Sequence, residues 1–199
     1  MSTLTLYTNA MSRGNTIDLL FRFLNIPYQR IELAYGEEMH TREYLALNPM
    51  GKVPTLTDGD IVVTESAAIC LYLADKFPEK GLCPALNAPE RASYYRWFAF
   101  AAGPLEAAFT VQQMGIELTE DQQHMSGFGS WQRVMACIES EFNKLSPYIC
   151  GSSLTAVDIY LGYFLIFLEK INMLQGYPVI TRYLDTLKQL PEFKAGMES

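Results

Sequence analysis

Positive charge is scarce in this 199-residue chain: 15 Lys and Arg stand against 22 Asp and Glu, a net charge of −7 with a pI near 4.9. No Lys/Arg cluster exceeds two adjacent residues, and an acidic surface repels phosphate, so nucleic acid is not expected as a partner. Cysteine is sparse too. Cys70, Cys83, Cys137 and Cys150 are scattered, with no Cys-x-x-Cys pair, which leaves neither a disulfide framework nor a metal knuckle and fits a reducing cytosol. His40 and His124 lie far apart without an acidic ligand pattern around them, so no metal is expected. Long apolar runs are missing as well. The longest, Ile159 to Leu168, is about half of a membrane span and is closed by Glu169 and Lys170, so it reads as a buried helix and no membrane is expected. The opening residues lack a basic start followed by an apolar run, so no secretory signal is visible and a cytoplasmic location is expected.

What is present divides in two. Leu4 to Tyr7 alternates with period two, Ile17, Leu20, Phe21 and Leu24 share a helix face that stops before Pro27, and Tyr28 to Leu33 alternates again. A right-handed crossover makes those two strands parallel. A short helix over Thr41 to Leu47 follows, ending at Asn48-Pro49. Val53 to Thr57 and Ile61 to Val63 flank Asp58-Gly59-Asp60, a hairpin signal, and a helix runs from Glu65 to Phe77. The order βαβ-α-ββα is that of a thioredoxin-like α/β domain, assigned to residues 1–78. Pro78, Gly81, Pro84, Asn87 and Pro89 break every regular pattern, and 79–87 reads as a linker.

Beyond it, 88–199 reads as an all-α C-terminal domain. Helical stretches are expected over roughly 90–114, kinked by Pro104, and over 121–145. Thr155-Ala156-Val157-Asp158 has the form of a capping box, with Leu154 and Ile159 at the positions of a hydrophobic staple. This is a motif of folding, not of chemistry.

Three segments carry a resemblance. Asn48-Pro49-Met50-Gly51-Lys52-Val53-Pro54 resembles the NPxGxVP segment of glutathione S-transferases. Thr64-Glu65-Ser66-Ala67-Ala68-Ile69, continuing to Tyr72-Leu73, resembles their ESxAI…YL segment. Ser152 to Asp158 resembles the cap of their central C-terminal helix, with Val157 in place of the usual Ala. Together they cover nearly the whole chain and imply a bacterial-type cytosolic member, serine-type or tyrosine-type, working as a homodimer.

The resemblance implies a cis bond before Pro54 that turns the Val53 N–H and C=O outward to pair with the cysteinyl backbone of glutathione. The other reading has Pro54 simply open an edge strand. Ser66 would take the γ-glutamyl carboxylate at a helix N-terminus, where amides and dipole favour an anion, and Glu65 would accept from the α-amine. Equally, Thr64 or Ser66 would be an ordinary cap. Lys52 would meet the glycyl carboxylate, or remain solvated. The thiol, with an ordinary pKa near 8.5, needs a donor to become thiolate. Ser12 lies in the first turn, five residues after Tyr7, as in serine-type members, and Tyr7 ends the strand, as in tyrosine-type members. Ser12 is favoured over Tyr7, and Arg13 would add positive charge. Cysteine-type and isomerase members carry Cys in this turn, and Met11-Ser12-Arg13 does not. Met11, Phe109, Gln113 and Met114 are candidates for the second substrate's pocket, and Glu106 either for the glutathione amine or for a solvated face. The expected function is conjugation of glutathione to small electrophiles in detoxification. The alternative is a non-enzymatic binding or stress-response protein on the same fold.

Overall fold

The computed structural model describes residues 3–197. By internal contact the chain falls into two units: the part up to Cys83 together with the segment from Leu190 onward, and Pro84–Gln189.

The first unit opens with β1 (Leu4–Thr8), α1 (Gly14–Leu24) and β2 (Gln29–Glu32), and β1 and β2 are parallel. A 3₁₀ turn (Glu38–His40) leads to α2 (Arg42–Leu47). The hairpin β3 (Thr55–Asp58) and β4 (Ile61–Thr64) is followed by α3 (Ser66–Lys76). The sheet order is β2-β1-β3-β4, with the last two pairings antiparallel. This is the expected thioredoxin-like arrangement. The two periods explain it: Leu4 and Leu6 point to one face of the sheet and are buried, while Ile17, Leu20, Phe21 and Leu24 bury one face of α1. Asn25 ends α1 in the left-handed region, φ 49°, with its N–H returned to the Phe21 and Arg22 carbonyls. Gly59 takes φ 60° as the first residue of the two-residue hairpin loop.

The last helix, Pro191–Met197, belongs with this sheet unit and not with the helical unit to which the sequence assigned everything from 88 to 199. Phe193 is the reason. It is fully buried, its ring 5.6 Å from that of Phe23 on α1, and Gly196 lets the backbone come close to Leu19.

The helical unit runs α4 (Glu90–Phe100), a π-helical turn (Ala101–Leu105), α5 (Glu106–Gln113), α6 (Glu120–Met125), α7 (Trp131–Phe142), α8 (Ala156–Lys170) and α9 (Pro178–Lys188). After it comes α10 (Pro191–Met197). Pro104 lies inside the π turn. Its missing N–H breaks the ladder, and the chain absorbs the break by widening instead of ending the helix. The helix expected over 121–145 is two helices. Ser126 and Ser130 divide it: Ser130 caps α7 by accepting from Arg133 N–H (3.2 Å), and Gly129 takes φ 70°. The apolar run falls within α8, whose residues 156–162 are all buried. No helix among the described residues is long and apolar enough to cross a membrane.

Candidate functional site

The strand register gathers three loops. Tyr7 pairs with Thr55 and Thr55 with Thr64, so the chain leaving β1, entering β3 and leaving β4 all lie at one end of the sheet. Those exits carry the turn 9–13, Val53-Pro54 and Glu65-Ser66. Periodicity placed each segment, and pairing brings them together.

The turn after β1 is held from several sides. Asn9 donates from Nδ2 to the Leu33 carbonyl (2.8 Å) and accepts at Oδ1 from Met11 N–H (2.9 Å). Ala10 donates to Glu32 Oε1 (3.1 Å), and its carbonyl accepts from Asn15 Nδ2 (2.7 Å). Glu32 is held in turn by Arg30 (2.5 Å). The Arg30 guanidinium, then the Ala10 N–H, keep the Glu32 carboxyl below its ordinary range. Asn9, Asn15 and Glu32 were not singled out from the sequence, because their contacts reach across the fold.

Within this turn Ser12 is half-buried. Its hydroxyl donates to the Asn9 carbonyl (2.7 Å) and accepts from Gly14 N–H (3.0 Å). The Tyr7 hydroxyl has no hydrogen-bond partner among the described residues, and its ring lies 5.7 Å from that of Tyr44. The two rivals thus differ: one hydroxyl is already engaged, the other is not. Arg13 stands at the N-cap of α1 without a side-chain cap bond, and no acidic residue occupies the first turn of that helix. Met11 is 88% exposed.

The Asn48-to-Pro54 loop explains its own motif. Asn48 is buried. It donates from Nδ2 to the Lys52 carbonyl (2.8 Å) and accepts from Met50 N–H (3.1 Å). Tyr44, also buried, donates to the same carbonyl (2.5 Å), and burial raises its hydroxyl pKa. Gly51 takes φ 59°, and a side chain there would press on the Met39 carbonyl at 3.0 Å and on His40. The Val53-Pro54 bond is cis, as the resemblance implied. The Val53 N–H and C=O have no partner among the described residues. Lys52 is exposed, and its ammonium makes no ion pair among them.

At α3 the capping alternative is set aside. Glu65 is the N-cap residue, and no side chain caps the helix. Its backbone holds φ 68° and ψ 119°, a conformation that a residue with a side chain rarely adopts and that costs on the order of 1 to 3 kcal/mol. Ser66 is half-buried, and its hydroxyl has no partner among the described residues. The first-turn amides of α3 and the positive end of its dipole are therefore open to an anion.

The remaining predicted residues lie in the helical unit. Glu106 opens α5 and is half-buried. Phe109 is packing: its ring meets Phe164 (5.5 Å) and Phe167 (5.8 Å). Gln113 donates to Met173 Sδ (3.2 Å), and Met114 is exposed. This unit carries open clefts of about 590 Å³ between α7 and the start of α9, and about 410 Å³ beside α5 and α7. Phe109, Gln113 and Met114 line neither. Among the described residues no group of three or more His, Cys, Asp or Glu could hold a metal.

This arrangement gives the likeness to known proteins a physical content. The family profile of the glutathione S-transferase N-terminal domain matches residues 2–75. An uncharacterised GST-like protein, YncG, of Escherichia coli (strain K12) is 30% identical over 154 residues, covering 74% of each chain. A zeta-class glutathione S-transferase of Euphorbia esula is 28% identical over 194 residues, covering 91% of this chain and 82% of that one. A crystal structure of a glutathione transferase from Methylococcus capsulatus strain Bath matches with a TM-score of 0.80 at 25% identity, covering 98% of both chains. The chain belongs to the glutathione S-transferase family.

Proposed function

We propose that this protein binds glutathione at the sheet end described above and transfers its thiolate to a small electrophilic carbon. The observation that carries the reading is the start of α3. A strained Glu65, a partnerless Ser66 hydroxyl and uncapped amides are costly for folding alone, and they match a ligand that brings a carboxylate and an ammonium together. Ser66 and the amides receive the γ-glutamyl carboxylate, and Glu65 accepts from the amine. Val53 offers both halves of a backbone edge, and Lys52 offers a cation for the glycyl carboxylate.

At the sulfur, Ser12 is the assigned donor. Its proton now rests on a neutral carbonyl, and a thiolate is the stronger acceptor, so the proton turns to sulfur when glutathione is bound. The Gly14 N–H accepted by Ser12 Oγ makes that hydroxyl a better donor. Arg13 adds positive charge near the turn. Holding the thiolate beside the electrophile converts an encounter into a local reaction, which supplies much of the rate. Glu106 is assigned to the glutathione amine, and Met11 and Met114 to the electrophile. The protein works as a cytoplasmic homodimer without nucleic-acid or membrane partners. The apolar Ile61 and Val62 exposed on the edge strand β4 support pairing, because such edges ask for a cover.

The test is retention on immobilised glutathione followed by conjugation of an activated aryl chloride, read by absorbance. Retention with turnover is expected. Retention without turnover against a panel of electrophiles would make the protein a binding module instead, and a folded protein that is not retained would remove the reading altogether.

A further inference from the structure

A buried hydroxyl without a partner lies against the Ser12 turn. Thr8, the last residue of β1, is fully buried, and its Oγ1 makes no hydrogen bond among the described residues. Such an orphan lowers stability and calls for a reason. The same atom stands against Gly14. A Cβ built there would lie 1.8 Å from Thr8 Oγ1 and 3.0 Å from Ser12 Oγ. The Thr8 hydroxyl therefore occupies the place that a side chain at 14 would need, with Ser12 Oγ at its edge. Gly14 is not among the glycines of positive φ, so room and not backbone conformation is what requires it.

The acceptor count at Ser12 shows what the orphan can do. A hydroxyl oxygen has two lone pairs. One on Ser12 accepts from Gly14 N–H at 3.0 Å, and the other meets only Asn9 N–H at 3.4 Å, longer than an ordinary hydrogen bond. We propose that Thr8 is a positioning residue for the thiolate. When the Ser12 proton turns from the Asn9 carbonyl to the sulfur of glutathione, the Thr8 hydroxyl donates to Ser12 Oγ past the bare Cα of Gly14. Hydrogen bonds in a chain strengthen one another, so the sequence Thr8 to Ser12 to sulfur holds more negative charge than Ser12 does alone. The inference rests on the assignment of Ser12 as the sulfur's donor.

Two variants at one position test it. Thr8→Val keeps the shape and removes the hydroxyl, and Thr8→Ser keeps the hydroxyl. The readouts are the pKa of bound glutathione, from thiolate absorbance in the binary complex, and the Tm of the free protein. Thr8→Val should raise the thiol pKa by about half a unit, a fraction of a full charged hydrogen bond, while the Tm holds or rises because an orphan is gone. Thr8→Ser should return the thiol pKa to that of the unaltered protein. An unchanged pKa in Thr8→Val overturns the inference, as does a raised pKa that Thr8→Ser shares. So does a lower Tm in Thr8→Val, because the hydroxyl would then already have a partner at rest. If the glutathione reading itself is wrong, the unaltered protein shows only the thiolate signal of free glutathione, with its ordinary thiol pKa, and this inference falls with it. If only this inference is wrong, the signal is normal and ignores Thr8.

Discussion

Two helix starts in this molecule each carry a hydroxyl residue and a carboxylate and are finished in opposite ways. At α8, the Asp158 carboxylate is saturated with four donors. Asp158 accepts at Oδ2 from the Thr155 N–H and hydroxyl (2.9 Å each), and at Oδ1 from Ile149 N–H (2.8 Å) and Tyr183 (2.9 Å). It is fully buried, and burial raises its pKa against the pull of those four bonds. At α3, Glu65-Ser66 closes nothing: the helix has no side-chain cap, the hydroxyl has no partner among the described residues and the N-cap backbone is strained. The first start is saturated and serves the fold. The second is left open at a cost, and an open, strained helix start at the end of a sheet is where a ligand has to supply what the chain withholds.

Removing the saturated cap should give the largest effect. Asp158→Ala removes the acceptor of four buried donors, the N–H groups of Ile149 and Thr155 and the hydroxyls of Thr155 and Tyr183, so a loss of about 3 kcal/mol or more is expected from denaturant unfolding. Any protein that remains folded should bind glutathione as before. At the open start the pattern reverses. Ser66→Ala should change stability by less than about 0.5 kcal/mol, because no internal bond is lost. It should raise the KM for glutathione by roughly tenfold or more, the worth of one hydrogen bond to a carboxylate, with kcat little changed because the contact is remote from sulfur. A large loss of stability in Ser66→Ala would erase the contrast between the two starts.

The hydroxyls of Ser12 and Tyr7 sharpen the same contrast within the site. Ser12→Ala should raise the pKa of bound glutathione by about one to two units, while Tyr7→Phe leaves it in place. Ser12→Ala should also cost the free protein roughly 1 kcal/mol, since Gly14 N–H loses its partner, while the Asn9 carbonyl keeps the Ser12 N–H. The reverse result, with Tyr7→Phe raising the pKa and Ser12→Ala silent, would move the donor to Tyr7. If neither change moves the pKa, the backbone amides of the turn hold the thiolate.

What the sequence made legible follows the range of the forces involved. Alternation and helical period set β1, α1, β2 and the hairpin because they act over a few residues. The Thr155 box was readable for the same reason, but the further reach of Asp158 to Ile149 and Tyr183 was not, because only the folded chain brings them there. The split at 126–130 had its signal in Ser-Gly-Phe-Gly-Ser, hidden by apolar positions continuing on both sides. The place of α10 depends on where Phe193 is buried, which no local pattern states. In the candidate site, the positions 12, 53, 65 and 66 were legible from motif spacing. The hydrogen bonds that engage Ser12, leave Ser66 free and orphan Thr8 belong to the packing, and spacing carries no record of them.

The smallest expected effect is the one that separates strain from contact. Glu65 holds φ 68° although it carries a side chain, and glycine reaches that region freely. Glu65→Gly should therefore relieve backbone strain, offset in part by the extra freedom that glycine gives the unfolded chain, for a net gain in stability of about 1 kcal/mol or less. The same change removes the acceptor proposed for the glutathione amine, so glutathione affinity should fall even as the Tm rises. Glu65→Gln keeps an acceptor and the strain together, and should stay near the unaltered protein in Tm with a milder loss of affinity. Opposite movements of Tm and affinity in Glu65→Gly are the signature of a conformation kept for binding. If both fall together, the conformation stabilises the fold, and the start of α3 resembles that of α8 after all.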